Sequence, residues 1–123
     1  MLKLGFIGCG NMATAIIGGA VTSEFLKGNE ICVFDVDSSK AEFLNKAYGV
    51  NVCSAVEKLS ADCEFVVLAV KPQVFPTVLP QIKDSLNNTL HIAVSRAHFV
   101  NHFVYRILKF SCCCQIVCFY QFV

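Results

Sequence analysis

The feature that most constrains this chain is a glycine-rich segment set directly behind an apolar run. Leu2–Ile7 is almost wholly apolar and stops at Gly8-Cys9-Gly10-Asn11-Met12-Ala13. A short apolar run ending at glycines reads as a parallel strand covered on both faces. Beyond the glycines, Met12, Ile16 and Ala20 recur beside Ile17, Val21 and Phe25, and Gly28-Asn29 supplies a stop, which predicts a helix over 11–27. The segment therefore fits G-x-G-x-x-G/A between a strand and a helix. Gly8 permits the tight turn, Gly10 places no Cβ between the backbone and a pyrophosphate, and Ala13 lets helix and strand pack closely. An acid, Asp35, follows 22 residues after Ala13, as the dinucleotide-binding fingerprint requires. The unpaired N–H groups at the helix start would then face the phosphates.

The next eighty residues keep alternating. Ile31–Phe34 is a second strand, and Ser39 with Glu42 forms a capping box for a helix through Phe43, Leu44 and Ala47 to Gly49. A brief third strand is expected over 50–53, and Ser54 with Glu57 forms a second capping box. Residues 65–70 are six apolar residues without a break, the strongest strand signal in the chain. Val78, Leu79, Ile82 and Leu86 share one helix face, but Pro80 cannot donate to the carbonyl of Pro76, so that helix starts late or kinks. After the Asn87-Asn88 turn, 90–95 is a fifth strand. This alternation predicts an α/β fold, a Rossmann-like doubly wound parallel sheet ordered 3-2-1-4-5. Right-handed crossovers would set the carboxyl ends of strands one and four side by side, where ligands bind such sheets.

Composition breaks at Ser95/Arg96. Residues 1–95 hold all nine acids, all seven glycines, all three prolines and seven lysines, a net charge of −2. Residues 96–123 hold Arg96, Arg106 and Lys109 without an acid, together with seven of the fourteen aromatics and four of the eight cysteines. We therefore expect a dinucleotide-binding domain over 1–95 and a separate hydrophobic tail over 96–123, with the sheet ending at the fifth strand. The tail lacks the Gly and Pro punctuation of a soluble fold. It reads as foreign sequence, from a frameshift, retained intron or gene-model error. Two other readings stay open: a membrane tether acylated at Cys112-Cys113-Cys114, or a metal site of His98, His102, Cys114 and Cys118. Three adjacent cysteines cannot all face one ion, so no metal is expected. If nothing covers it, the fifth strand would present an open edge, which the tail would either cover or aggregate through.

With ten basic against nine acidic residues, the chain has no nucleic-acid footprint. The apolar start is too short for a signal peptide, and the fourteen uncharged residues over 110–123 fall short of a membrane span. The expected compartment is the cytoplasm, with reduced thiols. Cys9, Cys32, Cys53 and Cys63 lack CxxC spacing and read as small core residues.

Asp35 can accept hydrogen bonds from an adenosine ribose and would repel a 2′-phosphate, and Asp37 adds to that repulsion. Ser38, Ser39 and Lys40 work the other way, so the cofactor is NAD(P)H with a lean to NADH. The alternative makes Asp35 a turn residue.

The opening Leu4-Gly5-Phe6-Ile7-Gly8-Cys9-Gly10-Asn11-Met12-Ala13, with Ala69-Val70-Lys71-Pro72 after the fourth strand, resembles pyrroline-5-carboxylate reductase. The resemblance covers 1–95, the cofactor half of that family. It implies hydride transfer from a nicotinamide to the C=N carbon of pyrroline-5-carboxylate, the last step of proline synthesis. It also implies that Ile7, Gly8, Cys9, Gly10, Asn11 and Met12 contact the pyrophosphate. Ala69, Val70, Lys71 and Pro72 would line the ribose and nicotinamide side, although Lys71 also reads as a solvated loop lysine. Where the family often has an asparagine reaching the adenosine, this chain carries Val56. Arg96-Ala97-His98-Phe99 departs from the small-residue loop the family places after the fifth strand. The family's helical domain, which pairs subunits and supplies most of the imine pocket, has no counterpart here. No catalytic residue is therefore named and no homo-oligomer interface is expected; the alternative function is a non-catalytic dinucleotide-binding module.

Overall fold

The computed structural model describes residues 2–82, 90–94 and 116–119. Its strands are β1 (Leu2–Ile7), β2 (Ile31–Phe34), β3 (Asn51–Val52), β4 (Cys63–Leu68), β5 (Leu90–Val94) and β6 (Ile116–Phe119). The helices are α1 (Asn11–Thr22), α2 (Ser38–Tyr48), α3 (Val56–Asp62) and α4 (Phe75–Ile82). All pairings are parallel and the order is β3-β2-β1-β4-β5-β6. The predicted 3-2-1-4-5 arrangement is thus present.

Side chains alternate along the central strands, which divides the core into two layers. Phe6, Val33 and Val67 pack with Ala13, Ile17, Ala41 and Leu44 of α1 and α2. Ile7, Val66 and Leu68 pack with Leu59, Leu79 and Ile82 of α3 and α4. This two-sided cover explains why β1 and β4 read as continuous apolar runs. Close approach does the rest: a Cβ on Gly5 would lie 2.6 Å from Leu59 Cδ2. Cys9, Cys32 and Cys63 are buried and Cys53 is partly so, and none of the four is in a disulfide.

Several boundaries differ from expectation for local reasons. α1 stops at Thr22 rather than near Lys27, because Glu24 adopts the left-handed conformation at φ 58°. Its N–H bonds Val21 O, and that of Phe25 bonds Ala20 O, which closes a Schellman turn without a glycine. Neither expected capping box forms. Asp37 caps α2, Oδ1 accepting from the Ser39 N–H and hydroxyl, and the N-cap of α3 is Ala55, which offers no side-chain cap. β4 begins two residues early and ends at Leu68, leaving Ala69 and Val70 in the following loop. Pro80 lies inside α4 after a 3₁₀ turn at Pro72–Val74, and Val78, Leu79 and Ile82 are buried as expected.

β6 is the strand that periodicity did not place. It pairs with β5 in the register His91↔Ile116 through Val94↔Phe119, so the edge of β5 carries a neighbour. Leu86, the Asn87-Asn88 turn, His98, His102 and Cys112-Cys113-Cys114 lie outside the described residues. Among the described residues, no helix is long and apolar enough to cross a membrane and no group of His, Cys, Asp or Glu could hold a metal ion.

Candidate functional site

The carboxyl ends of β1, β2 and β4 converge, because β1 lies between the other two. Two backbone bonds draw the loops beyond them together: Gly8 N–H to Phe34 O and Ala69 N–H to Ile7 O, each 2.8 Å. The glycine loop therefore sits between the ends of β2 and β4. This is the meeting of the ends of strands one and four that the crossover handedness predicts.

The two loop glycines do different work. Gly8 has φ +102°, and a Cβ there would lie 2.6 Å from Ala69 O and 2.9 Å from Val70 Cγ1. It is required both by backbone conformation and by the packing of β1 on the Ala69-Val70 segment. Gly10 is extended, at φ −77° and ψ −167°, and nothing lies within 4 Å of where its Cβ would be. Its missing side chain leaves open space beside the start of α1. Gly10 is also the N-cap of that helix, with no side-chain cap and no acid in the first turn. The first intrahelical bond is Thr14 N–H to Gly10 O, so the amides of Asn11, Met12 and Ala13 have no carbonyl one turn back. Open space at an uncapped helix start, free of negative charge in the first turn, fits a pyrophosphate.

Asn11 and Met12 are exposed at this rim, whereas Ala13 is buried against β1 and β4 and serves packing. Cys9 points into the core. Burial, with a contribution from the Asp35 charge, pushes its thiol up to about 12, while Lys40 pulls it the other way.

The Asp35 carboxylate engages backbone on two sides. Oδ2 accepts the Cys9 N–H at 2.8 Å across 26 residues, and Oδ1 accepts the Asp37 N–H at 2.8 Å. It is thus a turn residue and a loop partner together, and the second role carried no sequence signal. Asp37 is held below the usual carboxylate range by its bonds from Ser39 and, to a smaller degree, by Lys40. Its capping role was legible in the D-x-S spacing, had Asp37 been read as the cap in place of Ser39.

Of the second motif, Ala69 and Val70 touch the Gly8 turn, Lys71 is exposed, and Pro72 opens the 3₁₀ turn. Val56 is 3% exposed and belongs to the α3–α4 core layer, so it makes no polar contact at the rim.

Residues 3–96 match the family described as NADP oxidoreductase, coenzyme F420-dependent. The pyrroline-5-carboxylate reductase of Escherichia coli is 35% identical over 85 residues, which is 69% of this chain and 32% of that protein. The solved structure of a pyrroline-5-carboxylate reductase from Coxiella burnetii superposes with a TM-score of 0.79 at 29% identity, covering 95% of this chain and 43% of the other. A Plasmodium falciparum pyrroline carboxylate reductase solved with NADP bound shares the fold, with a TM-score of 0.66 and 19% identity over 94% of this chain and 57% of that one. The chain spans about a third of the length of the curated relatives it matches.

Proposed function

The chain belongs to the NADP oxidoreductase, coenzyme F420-dependent family over residues 3–96, and from that premise we propose that it binds a nicotinamide dinucleotide as the cofactor-binding part of a pyrroline-5-carboxylate reductase. The observation that carries this reading is the empty space beside Gly10, set at the uncapped start of α1 and between the ends of β2 and β4. In this reading Gly8, Cys9 and Gly10 shape the turn, and the amides of Asn11, Met12 and Ala13 hold the pyrophosphate. Ile7 closes the floor at the end of β1. Asp35 faces the adenosine ribose, and Ala69, Val70, Lys71 and Pro72 line the side toward the nicotinamide.

When bound, the dinucleotide supplies the hydride that reduces the C=N bond of a small imine. What the described residues contribute is orientation: a fixed anchor for the phosphates and a wall of backbone on the β4 side. Holding both reactants in a reactive geometry is worth orders of magnitude in rate.

The cofactor reading leans to NADH. Asp35 and Asp37 put two carboxylates at the end of β2, and Asp37 already occupies the Ser39 N–H and hydroxyl that a 2′-phosphate would use. Lys40 is the cation on the other side of that balance. The cytoplasm suits the four reduced thiols at Cys9, Cys32, Cys53 and Cys63. The near-neutral charge argues against nucleic acid as a partner.

The test is titration of the purified chain with NADH and NADPH, followed by an imine-reduction assay with pyrroline-5-carboxylate. Saturable binding, tighter for NADH, is the expected result. A folded chain that binds neither nucleotide refutes the site. Binding without turnover supports the module over the complete enzyme.

A further inference from the structure

The glycine loop is tied to the end of β2 at two successive residues. Gly8 is held by main chain, its N–H donating to Phe34 O at 2.8 Å. Cys9 is held by a side chain, its N–H donating to Asp35 Oδ2 at 2.8 Å. Cys9 lies between two glycines, which restrict the backbone least, and its amide direction sets the path into Gly10 and the first turn of α1. The other Asp35 oxygen accepts the Asp37 N–H, which fixes the carboxylate against its own strand end. A rigid acceptor thus reaches across 26 residues to the one loop residue whose thiol is also anchored in the core.

We propose that Asp35 is a positioning residue for the pyrophosphate end of the site, holding the Cys9 amide so that the amides at the start of α1 converge on the phosphates. The inference rests on the dinucleotide reading and deepens it, because there Asp35 acts on the ribose alone. The two roles separate with a ligand that has phosphates and no ribose.

The full chain and its Asp35→Ala and Asp35→Asn variants are titrated with NADH and with inorganic pyrophosphate, with a thermal melt of each. Removing a negative charge near the loop by itself strengthens the binding of an anion, so positioning and simple electrostatics predict opposite signs. Positioning predicts that Asp35→Ala weakens NADH and pyrophosphate alike, by about tenfold, the scale of losing a charge-assisted hydrogen bond. Asp35→Asn keeps an oxygen that can accept the Cys9 N–H and restores pyrophosphate binding to the wild-type level or better. Pyrophosphate binding to a folded Asp35→Ala chain at or above wild-type strength overturns the proposal and leaves the carboxylate to the ribose. If Asp35→Ala does not fold, Asp35→Glu decides: it keeps the charge and displaces the acceptor by one methylene. Weakened pyrophosphate binding then supports positioning, and unchanged binding overturns it. A wild-type chain that binds neither ligand refutes the dinucleotide reading itself, and this inference with it.

Discussion

Gly10→Val separates the stability of this fold from its ligand site, because the two effects fall on different sides of one backbone position. On the fold side, Gly10 has φ −77° and ψ −167° and nothing within 4 Å of a Cβ. Valine adopts that extended conformation without strain. As an N-cap it is poorer than glycine, by about 0.5–1 kcal/mol. Restricting the unfolded chain returns about 0.4–1 kcal/mol. The two nearly cancel, so the melting temperature should stay within roughly 5 °C of wild type. On the ligand side, the isopropyl group fills the space that a pyrophosphate would enter. Losing two charge-assisted bonds from the α1 amides, at about 1.5–3 kcal/mol each, removes about 3–6 kcal/mol. At about 1.4 kcal/mol per decade, NADH affinity falls by at least about a hundredfold. Calorimetric or fluorescence titration beside a thermal melt reads both quantities on one sample. A variant that melts normally and binds NADH within threefold of wild type would refute the assignment of that space to the phosphates.

Gly8→Ala should do the reverse: left-handed strain and a 2.6 Å approach to Ala69 O cost about 2–4 kcal/mol of stability, read as a melting temperature lowered by roughly 10 °C or more. Asp37→Asn keeps a capping side chain on α2 and removes one charge near the expected 2′-phosphate, worth about 1 kcal/mol at contact distance in water. The ratio of NADPH to NADH affinity should rise about fivefold in paired titrations, and an unchanged ratio would remove Asp37 from cofactor choice. Alkaline stability should follow the buried thiols. Burial raises Cys9 and Cys63 from 9.0 to about 12, and Cys32 in the same direction. Between pH 9 and 12 the unfolded chain has released protons that the folded chain retains. Stability is therefore full below pH 9 and falls as pH rises, by up to about 1.4 kcal/mol per pH unit for each thiol. Denaturant melts from pH 8 to 11 should show that slope reduced in a Cys63→Ala variant, and an equal slope would mean the thiol titrates alike in both states.

Much of the fold was legible because parallel strands covered on both faces leave an unmistakable apolar record. Leu2–Ile7 and the run through Leu68 carry that pattern, and the helices between them bury residues at the expected spacing. The termini of elements were less legible because they depend on single backbone choices. Glu24 ends α1 in a conformation that glycine usually supplies, and Asp37 takes the cap that Ser39 was expected to provide. β6 was hidden for a different reason. A parallel strand gains its hydrogen bonds from a distant neighbour, here β5, and four apolar residues without turn signals around them carry no trace of that partner.

The site divides in the same way. Sequence alone determined where the turn must be, since a strand, two glycines, a small residue and a helix in that order have few other solutions. It also placed an acid at the end of β2 and a second motif after β4. Only the tertiary structure decided how these segments meet: that Gly8 is needed against Ala69, that Gly10 faces open space, and that the Asp35 carboxylate reaches the Cys9 amide. Periodicity records which face of an element is buried, a one-dimensional property. The direction of a hydrogen bond between residues 26 positions apart is set by the parallel register of β1 on β2, which exists only once the sheet has formed.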